Sequence, residues 1–260
     1  MPVAAGRQAM DALMVRPETK GPKVVLGVAW FVGASLSILA GRWPSALFWA
    51  GAAAFAAVQT VRAWEPPGSK REDKVHVAAA AALAALVPLA AGWSTGLAGL
   101  VLVLGSVALP ASELLRGRRP ASAGAAAIGA LLPAVAATSV VLATRVNVLT
   151  ALFLVLAVSM FDAGFYLMGA EAPHRWEGLV GGVVGLLAVT FMMGAFAPPP
   201  FQASSAWLVG AVMALSCPVG QWVATLFLPR RATKVGALRR LDSYLLAGPL
   251  FVAFVWILGG

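Results

Sequence analysis

Charge is what this sequence has least of. Asp, Glu, Lys and Arg make up 11% of its 260 residues, hydrophobic residues make up 60%, and mean hydropathy is +0.87. A water-soluble domain carries about 25% charged residues, so this chain cannot clothe a surface that faces water on all sides. Cysteine is nearly absent too: Cys217 stands alone, which excludes an internal disulfide and leaves the redox compartment unread. The first stretch, MPVAAGRQAMDALMVRPETKGPK, lacks a short apolar core followed by a small-residue cleavage site. It does not read as a cleaved signal peptide, and the first apolar run is expected to stay as a span. No internal repeat, coiled-coil heptad or separate soluble domain stands out.

What the chain has instead is apolar runs long enough to cross a bilayer, for which roughly 17–25 residues are needed. Nine are expected, at about 23–41, 44–62, 75–93, 95–114, 122–143, 147–169, 178–197, 204–228 and 241–259. With the N-terminus placed in the cytoplasm, 17 of the 19 Lys and Arg residues fall on the inner side, and only Arg42 and Arg145 fall outside. That asymmetry follows the positive-inside rule. The expected fold is therefore an all-α, polytopic integral membrane bundle of about nine helices, N-in and C-out. It divides into a cytoplasmic segment 1–22, a scaffold 23–146 carrying spans 1–5, and a region 147–260 carrying spans 6–9. The net charge of +9 then reflects orientation and contact with anionic lipid heads, not nucleic acid. The expected location is a bacterial inner or plasma membrane.

All ten carboxylates fall on the inner face or in inner span ends. Spans 1–5 are rich in Ala, Leu and Val and offer almost no polar side chains, the composition of a close-packed scaffold. The unusual positions come later. Asp162 lies late in span 6, with Tyr166 one turn on along the same face; a charge at membrane depth calls for a partner or a wet cavity. Glu177 opens span 7 in the stretch APHRWEGLVGG, beside His174 and Arg175; a helix N-terminus favours its charge. The stretch LPRRATKVGALRRLDSYLLAGPLF sets Arg230, Arg231, Lys234, Arg239 and Arg240 ahead of Asp242 and Ser243. Each feature has a structural reading: an interfacial ion pair, a helix start, a topology signal. Together they also read as a phosphate site, since Arg offers paired donors to phosphate and helix N-termini favour anions. Gly178 with Gly182, and Gly181 with Gly185, form four-residue pairs suited to helix packing, to a lipid groove or to a homodimer seam.

Three blocks in the second half resemble the CDP-diacylglycerol synthase (phosphatidate cytidylyltransferase) family. SMFDAGFYLMG is similar to its Asp-Gly-Tyr helix end, at Asp162, Gly164 and Tyr166. HRWEGLVGG is similar to its Trp-Glu-Gly block, at Trp176, Glu177, Gly178, Gly181 and Gly182. LRRLDSYLLAGPLF is similar to its terminal Asp-Arg-x-Asp-Ser block, at Arg240, Asp242, Ser243 and Pro249. The resemblance covers roughly 150–258. It implies transfer of CMP from CTP to phosphatidate or another lipid phosphate at the cytoplasmic face. Asp162, Glu177 and Asp242 would be the catalytic carboxylates, and Asp162 and Asp242 would be ligands of Mg²⁺. Tyr166, His174, Arg175, Arg230, Arg231, Lys234, Arg239, Arg240 and Ser243 would hold the phosphates.

The sequence departs from that pattern at two positions that the family fills with aspartate: Gln221 and Arg239 stand there. His174 replaces a lysine. An arginine in a carboxylate's place repels a divalent cation. Two readings therefore stand side by side: a cytidylyltransferase, or a catalytically degenerate relative that binds an anionic phospholipid or a partner protein. A third, a small-solute transporter, would use broken helices and mid-span charges. Pro88, Pro133 and Pro218 are the candidate breaks for it, but spans 1–5 supply no charge at membrane depth.

Overall fold

The structure is a computed structural model that describes residues 23–64, 74–117, 119–170, 172–174, 176–198, 200–229 and 235–259. These residues form helices, with no strand among them. The helices are α1 (Lys23–Leu39), α2 (Arg42–Ala63), α3 (Lys74–Trp93), α4 (Thr95–Leu115), α5 (Pro120–Val146), α6 (Val148–Gly169), α7 (Trp176–Phe196), α8 (Ala203–Leu226) and α9 (Tyr244–Gly259). A single 3₁₀ turn, Leu238–Arg240, precedes α9. Each expected apolar run forms a helix. Eight segments are long and apolar enough to cross a membrane, and α1, with 17 residues, is shorter. The chain is a helical integral membrane protein.

Local chemistry sets several helix starts. Ser94 accepts from the Leu97 amide at 3.0 Å and caps α4, and Asn147 does the same for α6 through the Leu149 amide at 2.8 Å. Each satisfies an amide that the first turn leaves orphaned. The tight turn into α2 uses Gly41 at φ +107°, a conformation open to glycine. Pro88, Pro133 and Pro218 all lie inside continuous helices. The helices are unbroken at the prolines that a transporter would use as breaks.

The helices run up and down, which separates two ends of the bundle. At one, Trp43 packs edge-on against Trp93 and Arg145 donates to the Ala91 carbonyl at 3.1 Å. At the other, hereafter the basic end, α2, α4, α6 and α8 finish. The α6–α7 seam is the closest. A Cβ on Gly164 would land on the Gly181 carbonyl, one on Gly182 on the Phe161 ring, and one on Gly185 on the Met160 carbonyl. The glycine face of α7 is thus spent on α6 within the chain and leaves no lipid groove there.

The first half is less bare than its composition suggests. Glu113 is fully buried near the end of α4, and its Oε2 lies 2.7 Å from Nδ1 of His76 at the start of α3. Ser45 and Thr144 share a hydrogen bond at 3.3 Å between α2 and α5.

The last helix begins inside the bundle. Tyr244, its first residue, sets its ring edge-on to Trp49 at 5.3 Å between centroids. Trp49 lies 14 residues from Ala63 at the basic end of α2, about 21 Å at 1.5 Å per residue. The connection from α8 therefore folds back into the protein, with Val235, Leu238 and Leu241 all buried. Irregular backbone at that depth is tolerated only where protein covers it.

Candidate functional site

The folded-back connection meets α6 and α8 in a polar cluster. Asp162 stands seven residues before the end of α6, about 10 Å in from the basic end. Its Oδ1 accepts from the Ser243 hydroxyl at 2.6 Å and from the Gln221 side-chain amide at 3.3 Å. The same Gln221 nitrogen reaches the Ser243 oxygen at 3.0 Å. Residues 59 and 81 positions apart are thereby joined through one carboxylate oxygen.

Asp242, 3% exposed, faces the other way. Its Oδ2 lies 3.2 Å from Nη1 of Arg239, and that nitrogen also donates to the Thr225 hydroxyl at 2.8 Å. Thr225 in turn donates to the Gln221 carbonyl one turn earlier on α8, at 2.7 Å. The two carboxylates, the amide, two hydroxyls and the guanidinium form one connected network. Buried polar groups linked in this way hold one another in place, and each loss leaves a neighbour unsatisfied. The approach needs Gly220: a Cβ there would fall on the Asp242 carbonyl oxygen.

The N-terminal helices close the third side. Gln59 on α2 accepts the Ala237 amide at 2.8 Å, just ahead of the 3₁₀ turn. Gly27 on α1 lets the Arg240 guanidinium pass 3.4 Å from where a Cβ would stand.

Not every residue expected at the site joins it. Asp162, Arg239, Asp242 and Ser243 do, with Gln221, and Arg240 flanks them. Glu177 does not: its carboxylate takes the His174 ring nitrogen at 3.2 Å and the His174 amide at 3.3 Å, beside solvent. It acts as a helix-start residue with a local partner, and His174 is exposed. Tyr166 is half-buried one turn beyond Asp162, and its hydroxyl joins none of these hydrogen bonds. Arg175, Arg230, Arg231 and Lys234 lie outside the described residues. Thr225 and Gln59 were not anticipated. A threonine or glutamine inside an apolar helix carries no sequence signal that separates it from packing.

The arrangement does not fit a divalent metal. Mg²⁺ asks for near-octahedral oxygen ligands. Here Asp162 Oδ1 is taken by two donors and Asp242 Oδ2 by a cation. Among the cluster's carboxylate oxygens, Asp242 Oδ1 is buried without a hydrogen bond. No three His, Cys, Asp or Glu side chains converge among the described residues. What the cluster offers instead is cationic. Both hydrogen bonds of Arg239 run through Nη1, and its side chain is 22% exposed. A guanidinium carries five N–H donors, so these two bonds leave others for a ligand.

No family profile matches the chain, and no curated protein matches it. The resemblance to the CDP-diacylglycerol synthases rests on the three sequence blocks themselves.

Proposed function

We propose that the protein binds the phosphate head of an anionic phospholipid, phosphatidate above all, in a notch open to the cytoplasmic side of a bacterial plasma membrane. In this reading the basic end is cytoplasmic, as the distribution of Lys and Arg favours. All nine helices cross the membrane and the C-terminus lies outside. The observation that carries the proposal is Arg239, held by Thr225 and Asp242 through one nitrogen while its side chain stays 22% exposed. Arginine binds phosphate oxygens with paired, charge-assisted hydrogen bonds. The cluster lies about 10 Å inside the helix ends, a depth suited to a lipid head whose chains stay in the bilayer.

Phosphatidate added to the protein in neutral detergent should raise its unfolding temperature by mass action, and phosphatidylcholine should not. Arg239→Met should remove that shift. Equal shifts with both lipids, or none with either, would end the head-group reading.

A cytidylyltransferase is the second reading. Support for it comes from Asp162, Asp242 and Ser243, three positions marked by the resemblance and joined in one cluster. Incubation with CTP, Mg²⁺ and phosphatidate separates the two: CDP-diacylglycerol formed above background, and lost in Asp242→Asn, would make the protein an enzyme. We expect no product, because the metal chemistry that would organise the CTP triphosphate lacks its ligands.

A further inference from the structure

We infer that Arg239 is a built-in cation: its guanidinium occupies, permanently and covalently tethered, the place that a divalent metal would take between Asp242 and the α8 wall, so that the cluster assembles and works without any metal ion. Arg239 plays this part whichever ligand the notch takes.

Charge and geometry point the same way. Two carboxylates at membrane depth need compensation, because a buried charge is tolerable only when paired. In a metal site, a bound ion supplies it, and every neighbouring group is an oxygen with a lone pair turned inward. The groups around these carboxylates are the reverse. Ser243 and Gln221 point donors at Asp162, at 2.6 and 3.3 Å, and Arg239 points one at Asp242, at 3.2 Å. With Arg239 and Arg240 beside Asp162 and Asp242, the formal charges cancel. A divalent ion would bring two further positive charges into a neutral, poorly solvated cluster and would have to displace hydrogen-bond donors to find ligands.

Gln221 and Arg239 are the two side chains that exclude the ion. Gln221 sits on Asp162 and Arg239 on Asp242, so each carboxylate has its own guard. Thr225 ties the two guards together, donating to the Gln221 carbonyl at 2.7 Å and accepting from Arg239 at 2.8 Å. Exchanging both for carboxylates would turn a neutral cluster into one with three net negative charges and four inward oxygen donors.

The test uses the full chain in neutral detergent, with Mn²⁺ as probe, read by thermal unfolding and by the electron paramagnetic resonance of free and bound Mn²⁺. The native protein should unfold at the same temperature in EDTA and in millimolar Mn²⁺, with no bound-Mn²⁺ signal. Gln221→Asp combined with Arg239→Asp should be less stable than the native protein in EDTA. Mn²⁺ should raise its unfolding temperature by several degrees and show one bound ion per chain. Arg239→Lys should remain indifferent to Mn²⁺. One Mn²⁺ bound by the native protein and lost in Asp242→Asn would overturn the assignment, and so would a folded double variant that binds none. If the double variant does not fold, the native protein and Asp242→Asn decide alone. These readouts involve no lipid, so failure of the phosphatidate experiment leaves them unaffected.

Discussion

Ser243 shows how much one small side chain carries at this site. Its hydroxyl gives Asp162 a hydrogen bond at 2.6 Å and receives one from Gln221 at 3.0 Å. Hydrogen bonds to charged groups are worth roughly 1.5–3 kcal/mol, so Ser243→Ala should destabilise the protein by about that amount, measured by unfolding in detergent. Ser243→Thr, which keeps the hydroxyl, should recover part of the loss. Gly220→Ala should cost about 1–3 kcal/mol as an overpacked contact, because the new methyl meets the Asp242 carbonyl. An unchanged unfolding temperature in Gly220→Ala would mean that α8 and the folded-back turn are not in contact. At this scale the sequence was half legible. Asp162, Asp242 and Ser243 stand out because a carboxylate in an apolar run demands an explanation. Thr225 and Gln59 do not, since their partners are a guanidinium 14 residues away and a backbone amide 178 residues away. Glu177 misleads for a complementary reason: its position beside His174 and Arg175 suggests convergence, yet its recorded partner is its neighbour three residues earlier.

Among the helices, the α6–α7 seam decides where Asp162 stands. Gly164, Gly181, Gly182 and Gly185 bring the two backbones together, and packing of this kind replaces the hydrophobic effect that is missing between helices in lipid. Gly181→Leu should force the pair apart. It should lower thermal stability and, through α6, weaken any phosphatidate-induced shift, whereas Gly99→Leu on the open face of α4, where an added Cβ meets nothing, should change neither. Helix positions were legible from hydropathy to within about three residues, because an unbroken apolar run in a membrane has no structure to form but a helix. The start of the last helix was not. LRRLDSYLLAGPLF reads as a basic loop running into a span at 241, but the structure inserts a 3₁₀ turn and delays α9 to Tyr244. The delay comes from tertiary contacts with α2 and α8, to which a local pattern is blind.

For the molecule as a whole, the side of the membrane that the basic end faces can be read by cysteine labelling. Cys217 is buried, so a Cys217→Ser background should accept reporter cysteines without interference. Ser204→Cys, at the exposed start of α8, should react with a membrane-impermeant maleimide in intact cells. Gly236→Cys, exposed in the folded-back connection, should react only after the membrane is opened. The reverse pattern would invert the topology and place the notch on the other side. Composition told the class of molecule, since so few charges leave no alternative to a membrane. It did not tell that the scaffold half shares in the site, because that contribution is a single amide oxygen on α2, a missing side chain on α1 and the Trp49 ring.

The hydrogen bond from the Ala237 amide to Gln59 has a consequence for biosynthesis. Domains of a nascent chain take shape as they emerge, yet here one side of the notch leaves the ribosome early and waits for a segment made almost last. Until that segment arrives, Asp162 has neither Ser243 nor the Arg239 turn beside it. A message cut short before Leu238 would yield a bundle whose Asp162 keeps Gln221 but lacks Ser243, a product that quality-control proteases should remove.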